Sequence, residues 1–393
     1  MSKKVVIMAQ HKKSSPQKSV SRYLSENVKN DLAEKMVFLG GPRQVGKTTL
    51  AQGLIKNYHD GHPAYINWDS DLDRVRFRNR EWPKNTSLLV FDEIHKMKNW
   101  RNGVKGLFDT LKKSHQFLIT GSAKLDHFRK GGDSLMGRYY YYRLHPLSLP
   151  ELNYKSGALD RLFQYGGFPE SYYKSDDVNL RRWHLSRISQ LIKTDIMTLE
   201  NVKDLNKLEL LALELPRRVG SPLSHKSIAE DLEIDPKTAK NWVQIFDTLY
   251  YSFQIAPYGS PKIRAVKKEQ KLYLWDWSQI EDKGAKFENM VASHLLKFCH
   301  YHQDVNGHRM ELRYIRDTDK REVDFVVLKN NEALFAVECK LEQNAISPHI
   351  HYFKERTKIP TFYQVSLEGV EKIMAPDVVS LGFEDFCRAE KLI

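Results

Sequence analysis

The chain is poor in cysteine and has no long apolar runs. Its three cysteines, Cys299, Cys339 and Cys387, lie far apart with no CxxC pair. That odd, scattered set argues against a disulfide framework and against a structural zinc site. No stretch approaches the roughly 18 apolar residues of a membrane-spanning helix. The N-terminal run Val5-Val6-Ile7-Met8-Ala9 is too short for the core of a signal peptide. A cytoplasmic protein without membrane association is the expectation. Internal repeats and low-complexity blocks are also missing, which sets aside solenoids and fibrous folds.

The composition does support packed cores. Hydrophobic residues make up 41% of the chain, with 19 Tyr and 18 Phe, so global disorder is excluded. At 393 residues the chain is too long for one ordinary core and predicts two to four domains. Lys and Arg exceed Asp and Glu by 13, which favours a polyanionic partner, nucleic acid before membrane. The surplus is uneven: +5 in residues 1–35, +9 in 36–150, −1 in 151–215, +3 in 216–280 and −3 in 281–393.

Those boundaries follow the pattern of the chain. Residues 1–20 read as a basic arm leading into a helix near Tyr23–Glu34. From 36 to 150 the runs MVFLG, AYINW, SLLVFD, QFLITG and YYYYRLH alternate with helical patterns, which predicts a parallel α/β sheet. Residues 151–215 read as a helical connector. Residues 216–280 read as a helix-turn-helix with a hairpin, and 281–393 as a helix followed by alternating strands.

The first strand runs into GGPRQVGKTTL, a G-x-x-x-x-G-K-T pattern. Glycines there let backbone N–H groups wrap phosphates, and a helix starting at the loop points its positive end at the anion. Gly41, Pro42, Arg43, Gln44, Val45, Gly46, Lys47, Thr48 and Thr49 are therefore candidates to hold ATP, with Lys47 on the β/γ oxygens and Thr48 on Mg²⁺. The strand SLLVFD ends in Asp92-Glu93, which suits Asp92 to the Mg²⁺ and Glu93 to orienting the attacking water. QFLITGS offers Thr120 or Ser122 beside the phosphates. Arg138 and Arg143 are candidates for a finger reaching a neighbouring subunit's γ-phosphate in trans, Arg138 being favoured because it lies in the turn before a strand.

Two further constellations lie downstream. In SHKSIAEDLEIDPKTAKNWVQIF, Asp235 suits an N-cap with Pro236 in the first turn, and the second helix would present Lys237, Thr238, Lys240 and Asn241 to DNA. A wing would add Lys262, Arg264, Lys267, Lys268 and Lys271. Against DNA, residues 221–250 hold three Lys and Arg but five Asp and Glu, which suits protein docking equally well. In REVDFVVLKNNEALFAVECKL, strand period two puts Glu338 and Lys340 on one face, and Asp324 joins them across the KNNE turn. Such carboxylates can hold a second divalent metal that activates water, with Glu288 from the preceding helix as a further ligand and Gln364 as an outer partner.

Together GGPRQVGKTTL, LLVFDEIHK, FLITGSAKL, LMGRYYYYRLHPLSLPEL and YGGFPE resemble the bacterial and archaeal AAA-type ATPases that carry a C-terminal domain of formerly unknown function. The resemblance covers nearly the whole chain. It implies an α/β fold with a P-loop AAA+ core, a helical connector with a winged helix, and a C-terminal restriction-endonuclease-like domain of the PD-(D/E)xK type. Lys193-Thr194-Asp195 stands where many relatives have an Arg-Asp pair. Three activities follow as expectations: an oligomeric, DNA-directed ATPase motor; a nucleotide-controlled protein-assembly switch; and an ATP-gated, metal-dependent DNase.

Overall fold

The five apolar runs fold as strands of one sheet. They are β1 (Met36–Gly40), β2 (Tyr65–Asn67), β3 (Leu88–Asp92), β4 (Gln116–Thr120) and β5 (Tyr139–Arg143), in the order β2-β3-β4-β1-β5 with every pairing parallel. β1 and β3 are buried at every position. Strands covered on both faces read as unbroken apolar runs rather than as alternation. Helix α1 (Ser25–Asp31) precedes β1, α2 (Lys47–Gly53) follows it, α3 (Asp71–Asn79) leads into β3, and α4 (Trp100–Leu111) leads into β4. α4 buries Trp100, Val104, Leu107 and Phe108, a stripe at helical spacing. With all strands parallel, their C-terminal ends gather along one edge, where open α/β sheets bind ligands.

This computed structural model describes residues 21–83, 85–121, 135–196, 202, 204–259 and 269–393, with the backbone only of residues 194 and 195. The basic arm, Ser122, and Lys262, Arg264, Lys267 and Lys268 lie outside the described residues.

Among the described residues, four α-helices follow the first sheet: α5 (Ala158–Tyr165), α6 (Pro169–Lys174), α7 (Asp177–Gln190), which continues into a π-helical turn over Leu191–Ile196, and α8 (Leu205–Glu214). The Gly166-Gly167 pair of YGGFPE lies between α5 and α6, where it packs closely on the chain near Trp277. A Cβ on Gly166 would stand 2.7 Å from Asp276 Oδ1, and one on Gly167 would stand 2.7 Å from the Trp277 ring. Asp276 is buried and accepts from Trp183 Nε1 and Arg187 Nη1, both at 3.0 Å, fastening α7 to the same turn.

α9 (His225–Leu232) and α10 (Pro236–Thr248) form the expected helix pair. Asp235 caps α10 by accepting from the Lys237 N–H at 2.7 Å, with Pro236 in the first turn. Lys237, Lys240 and Asn241 are exposed. The hairpin that follows, β6 (Ser252–Pro257) and β7 (Lys271–Leu274), does not stand apart. After α11 (Lys283–Asp304) come β8 (Met310–Arg316), β9 (Glu322–Lys329), β10 (Glu332–Lys340), α12 (Pro348–Arg356), β11 (Phe362–Ser366), β12 (Lys372–Ala375), β13 (Val378–Gly382) and α13 (Phe383–Ala389). β6 pairs in parallel with β8, so the hairpin closes one edge of an eight-stranded sheet ordered β12-β13-β11-β10-β9-β8-β6-β7. Asn330 and Asn331, at φ 53° and 72°, make the tight turn between β9 and β10.

The 22-residue α11, about 33 Å long, packs on β7 to β10 and also on β5. It is the shared wall between the two sheets. Among the described residues no helix is long and apolar enough to cross a membrane.

Candidate functional site

The first site forms where β1, β3 and β4 end. After β1 the chain turns at Gly41, whose φ is 126° and where a Cβ would stand 2.4 Å from the Leu144 carbonyl oxygen. Only glycine fits there. Gly46, at φ 99°, precedes α2, and Lys47 enters its first turn. Lys47 Nζ donates to the carbonyls of Gly41 at 2.9 Å and Pro42 at 2.5 Å, so the ammonium lies across the loop it would serve. Pro42, Arg43, Gln44 and Val45 complete the loop, with Gln44 at φ 60°.

Thr48 and Asp92, 44 residues apart, are brought together. The Thr48 hydroxyl donates to Asp92 Oδ2 at 2.9 Å, and the Thr120 hydroxyl donates to Oδ1. Strand register explains the convergence: Asp92 lies opposite Thr120, and Thr120 opposite Leu39. Tyr65, which the sequence did not single out, donates its phenol to Asp92 Oδ2 at 2.5 Å. Burial, then the Asp92 charge, pushes that phenol well above its ordinary pKa. A hydroxyl and a carboxylate side by side form a hard oxygen pair that leaves most of a Mg²⁺ shell to water and phosphate, and these residues fit that ion.

Glu93 follows at φ 56° with its N–H on the Thr120 carbonyl at 3.0 Å. Its carboxylate pairs with Lys96 at 3.2 Å and lies 3.6 Å from His95. Arg138 lies at the other end of the sheet, paired with Asp109 at 3.0 Å. Since Met36 faces Tyr139, the length of a strand, roughly 16 Å, separates Arg138 from its own P-loop. Arg143 faces Gly40 but is committed to Asp304 of α11 at 2.6 Å.

A second group of acids lies between α11 and the larger sheet. Glu288 of α11, Glu322 and Asp324 of β9, and Glu338 and Lys340 of β10 come together, as the sequence predicted for all but Glu322. Lys340 Nζ donates to Glu338 Oε1 at 2.7 Å, and Asp324 Oδ2 accepts from the Cys339 N–H at 2.8 Å. Lys271 corrects an expectation. Placed by sequence on an exposed basic wing, it is instead fully buried, because β7 belongs to the sheet and turns this side chain inward. Its ammonium pairs with Glu322 and lies 3.4 Å from Glu288 Oε1 and 3.7 Å from Asp324 Oδ1. Burial, then the nearby Asp324 charge, raises the pKa of both Glu288 and Glu338 well above the ordinary carboxylate value. Gln364 serves elsewhere: it accepts from the Ser347 N–H and donates to the Asn344 and Ala345 carbonyls. Among the described residues no group of three His, Cys, Asp or Glu side chains is arranged to hold a metal ion.

A third cluster escaped the sequence reading. Arg22 donates to the Val45 carbonyl of the P-loop at 2.6 Å and to Glu151 at 2.8 Å. Glu151 also pairs with Lys297 of α11, which donates to the Ser148 hydroxyl at 2.7 Å. Burial works against the Glu151 charge, but Arg22 and Lys297 outweigh it and hold the pKa at about 2. Burial pulls Lys297 down to about 8 despite Glu151. Thus the P-loop and the helix that carries Glu288 share one buried ion network.

Comparison with known proteins follows this division. Residues 33–153 match the family described as AAA domain, 156–279 a domain of unknown function (DUF8612), and 283–376 a second one (DUF4143). An uncharacterized protein of Methanocaldococcus jannaschii is 24% identical over 390 residues, 88% of this chain and 86% of its own. An uncharacterized protein of Mycobacterium tuberculosis is 24% identical over 279 residues, 68% of this chain and 62% of the relative, so less than two thirds of the mycobacterial protein is spanned. Among solved structures, AMPPCP-bound DnaA from Aquifex aeolicus is 16% identical with a TM-score of 0.29, covering 56% of this chain and 85% of that one. The match to an AAA domain over residues 33–153 takes in the parallel sheet, with Asp92 at the end of β3 and Lys47 and Thr48 in the first turn of α2.

Proposed function

We propose that the chain is a Mg²⁺-dependent ATPase that works as a homo-oligomer on DNA, binding or remodelling it. The observation that carries this reading is the meeting of Thr48, Asp92 and Thr120 beside Lys47 at the ends of three parallel strands. In it, the loop N–H groups and Lys47 bind the β- and γ-phosphates, and Thr48 and Asp92 hold Mg²⁺. The ion, when bound, neutralises charge across the phosphate oxygens. Glu93 orients the attacking water, and Thr120 positions it. Arg138 of a neighbouring copy supplies positive charge to the transferring phosphoryl group; a location one strand length from its own P-loop suits action in trans only.

DNA is favoured as the partner because the basic surplus lies in residues 1–150, and because α10 exposes Lys237, Lys240 and Asn241. The α9–α10 pair with its hairpin is read as a winged helix. Residues 281–393 are read as a restriction-endonuclease-like domain that grips DNA. A nucleotide-controlled assembly switch is the second reading, favoured by the acidic balance of residues 221–250 and by the withdrawal of Lys271 from the surface. ATP turnover measured with duplex, single-stranded and branched DNA separates the two. Stimulation by one of these supports the motor. No stimulation together with no binding at low salt overturns it, and ATP-dependent capture of a protein partner then supports the switch.

A further inference from the structure

The C-terminal acids raise a question that the fold does not answer: what cation faces them? A divalent ion needs several oxygens free to turn toward it; Mg²⁺ takes six, and Mn²⁺ sites are likewise octahedral and oxygen-rich. Here most of those oxygens have partners. Glu288 Oε1 accepts from the Tyr273 phenol at 2.7 Å, Asp324 Oδ2 from the Cys339 N–H, and Glu338 Oε1 from Lys340. Glu322 is shared between Lys271 and Arg316, the latter at 3.1 Å. Among the described buried side-chain oxygens of the cluster, Glu338 Oε2 has no hydrogen-bond partner. Glu288 Oε2 and Asp324 Oδ1 likewise accept no hydrogen bond among the described residues, so the fit to a dication turns on the charge that already faces these oxygens.

Lys271 decides the matter. Its ammonium is 1% exposed and cannot reach solvent from inside the sheet, so it stays among Glu288, Glu322 and Asp324. The strand holds it there: Lys271 pairs with Ile255 of β6, and its ammonium also lies 5.4 Å from the centre of the Tyr314 ring. A dication bound by Glu288 and Asp324 would sit within a few ångströms of this fixed positive charge, in surroundings where charges are weakly screened.

We infer that Lys271 stands where a PD-(D/E)xK-type arrangement would hold its metal, so that the carboxylate cluster is neutralised from within the chain and takes no divalent ion. The domain then keeps an acidic pocket without metal-dependent cleavage. This is independent of the ATPase reading, since no residue of the P-loop takes part.

The test is Mn²⁺ binding to the full chain without nucleotide, by electron paramagnetic resonance and calorimetry. Four proteins are compared: wild type, Asp324→Asn, Lys271→Met and the double variant. Wild type and Asp324→Asn should bind Mn²⁺ alike. Lys271→Met should gain one Mn²⁺ per chain, and the double variant should lose it. A wild-type Mn²⁺ site that Asp324→Asn removes would overturn the inference. A folded Lys271→Met that gains no ion would overturn the claim that the ammonium keeps the metal out. If Lys271→Met does not fold, the first pair still decides, with melting temperature in millimolar Mn²⁺ as the second readout: a rise in wild type that is absent from Asp324→Asn counts against the proposal, and equal behaviour supports it.

Discussion

Asp92 in the P-loop domain and Asp324 in the larger sheet are both strand carboxylates in buried surroundings, yet their neighbours differ in kind. Asp92 is met by the hydroxyls of Thr48, Tyr65 and Thr120, groups that orient a carboxylate while adding no charge. Asp324 shares a cluster with Glu288, Glu322 and Glu338 and has the Lys271 ammonium 3.7 Å away. Hydroxyl partners preserve an anion's attraction for an incoming cation; a fixed ammonium spends it. On the proposed reading, the same residue type therefore prepares one site for Mg²⁺ and closes the other. Counting carboxylates cannot tell the two apart.

The sharpest way to break this comparison is at Lys47. Lys47→Ala removes the charge proposed to face the β- and γ-phosphates, and ATP turnover should fall about a thousandfold. Glu93→Gln should block turnover to a similar extent while retaining ATP binding, which equilibrium binding of a fluorescent ATP analogue would detect. Normal turnover in either variant would remove the P-loop site from the account, and the contrast with Asp324 would lose its first half.

The next effect is structural and joins the two regions. Glu151→Gln leaves the Lys297 ammonium buried without its carboxylate, and leaves Arg22 without its pair. Breaking a buried ion pair from one side costs roughly 3 kcal/mol, read as a lower denaturant midpoint at neutral pH. The pH dependence has a definite sign. The folded pKa of Glu151, about 2, lies below the ordinary value for a glutamate. Its contribution is therefore complete above the ordinary carboxylate range and is lost as pH falls through about 2. Wild type and variant should converge in strong acid. Parallel curves across that range would mean that the network does not hold Glu151 ionised.

How much of this was legible in the sequence depends on distance along the chain. The P-loop was legible because its glycines, Lys47 and Thr48 lie within eight residues, and chemistry at that range needs no tertiary knowledge. Asp92 was legible because a buried strand ending in acids is itself a local signal. Glu322 could have been found, since it lies two residues before Asp324 and so on the same strand face. Lys271 could not. Its basic neighbours suggested an exposed wing, and only the parallel pairing of β6 with β8 makes β7 part of the larger sheet and turns the lysine inward. The Arg22–Glu151–Lys297 network was equally hidden, with partners 129 and 146 residues apart and no periodicity linking them.

The smallest effect probes the closed site and has the opposite sign to that at Glu151. Burial and the neighbouring Asp324 raise the folded pKa of Glu338 above its unfolded value, so the fold favours the protonated acid. Its favourable contribution is present below the ordinary carboxylate range and is lost as pH rises through the raised folded value. Glu338→Gln imitates the protonated form. At about pH 4 the variant should match wild type, and at about pH 9 it should be more stable by on the order of 1 kcal/mol. The bond lost to Lys340 offsets little of this, because that side chain is 40% exposed and its pairing is screened by solvent. Melting temperatures across this range decide the matter. A variant less stable than wild type at high pH would mean that the ionised carboxylate is well served by its neighbours. Lys271, Lys340 and Arg316 would then stabilise the ionised cluster more than burial opposes it, and the contrast with the Asp92 site would narrow.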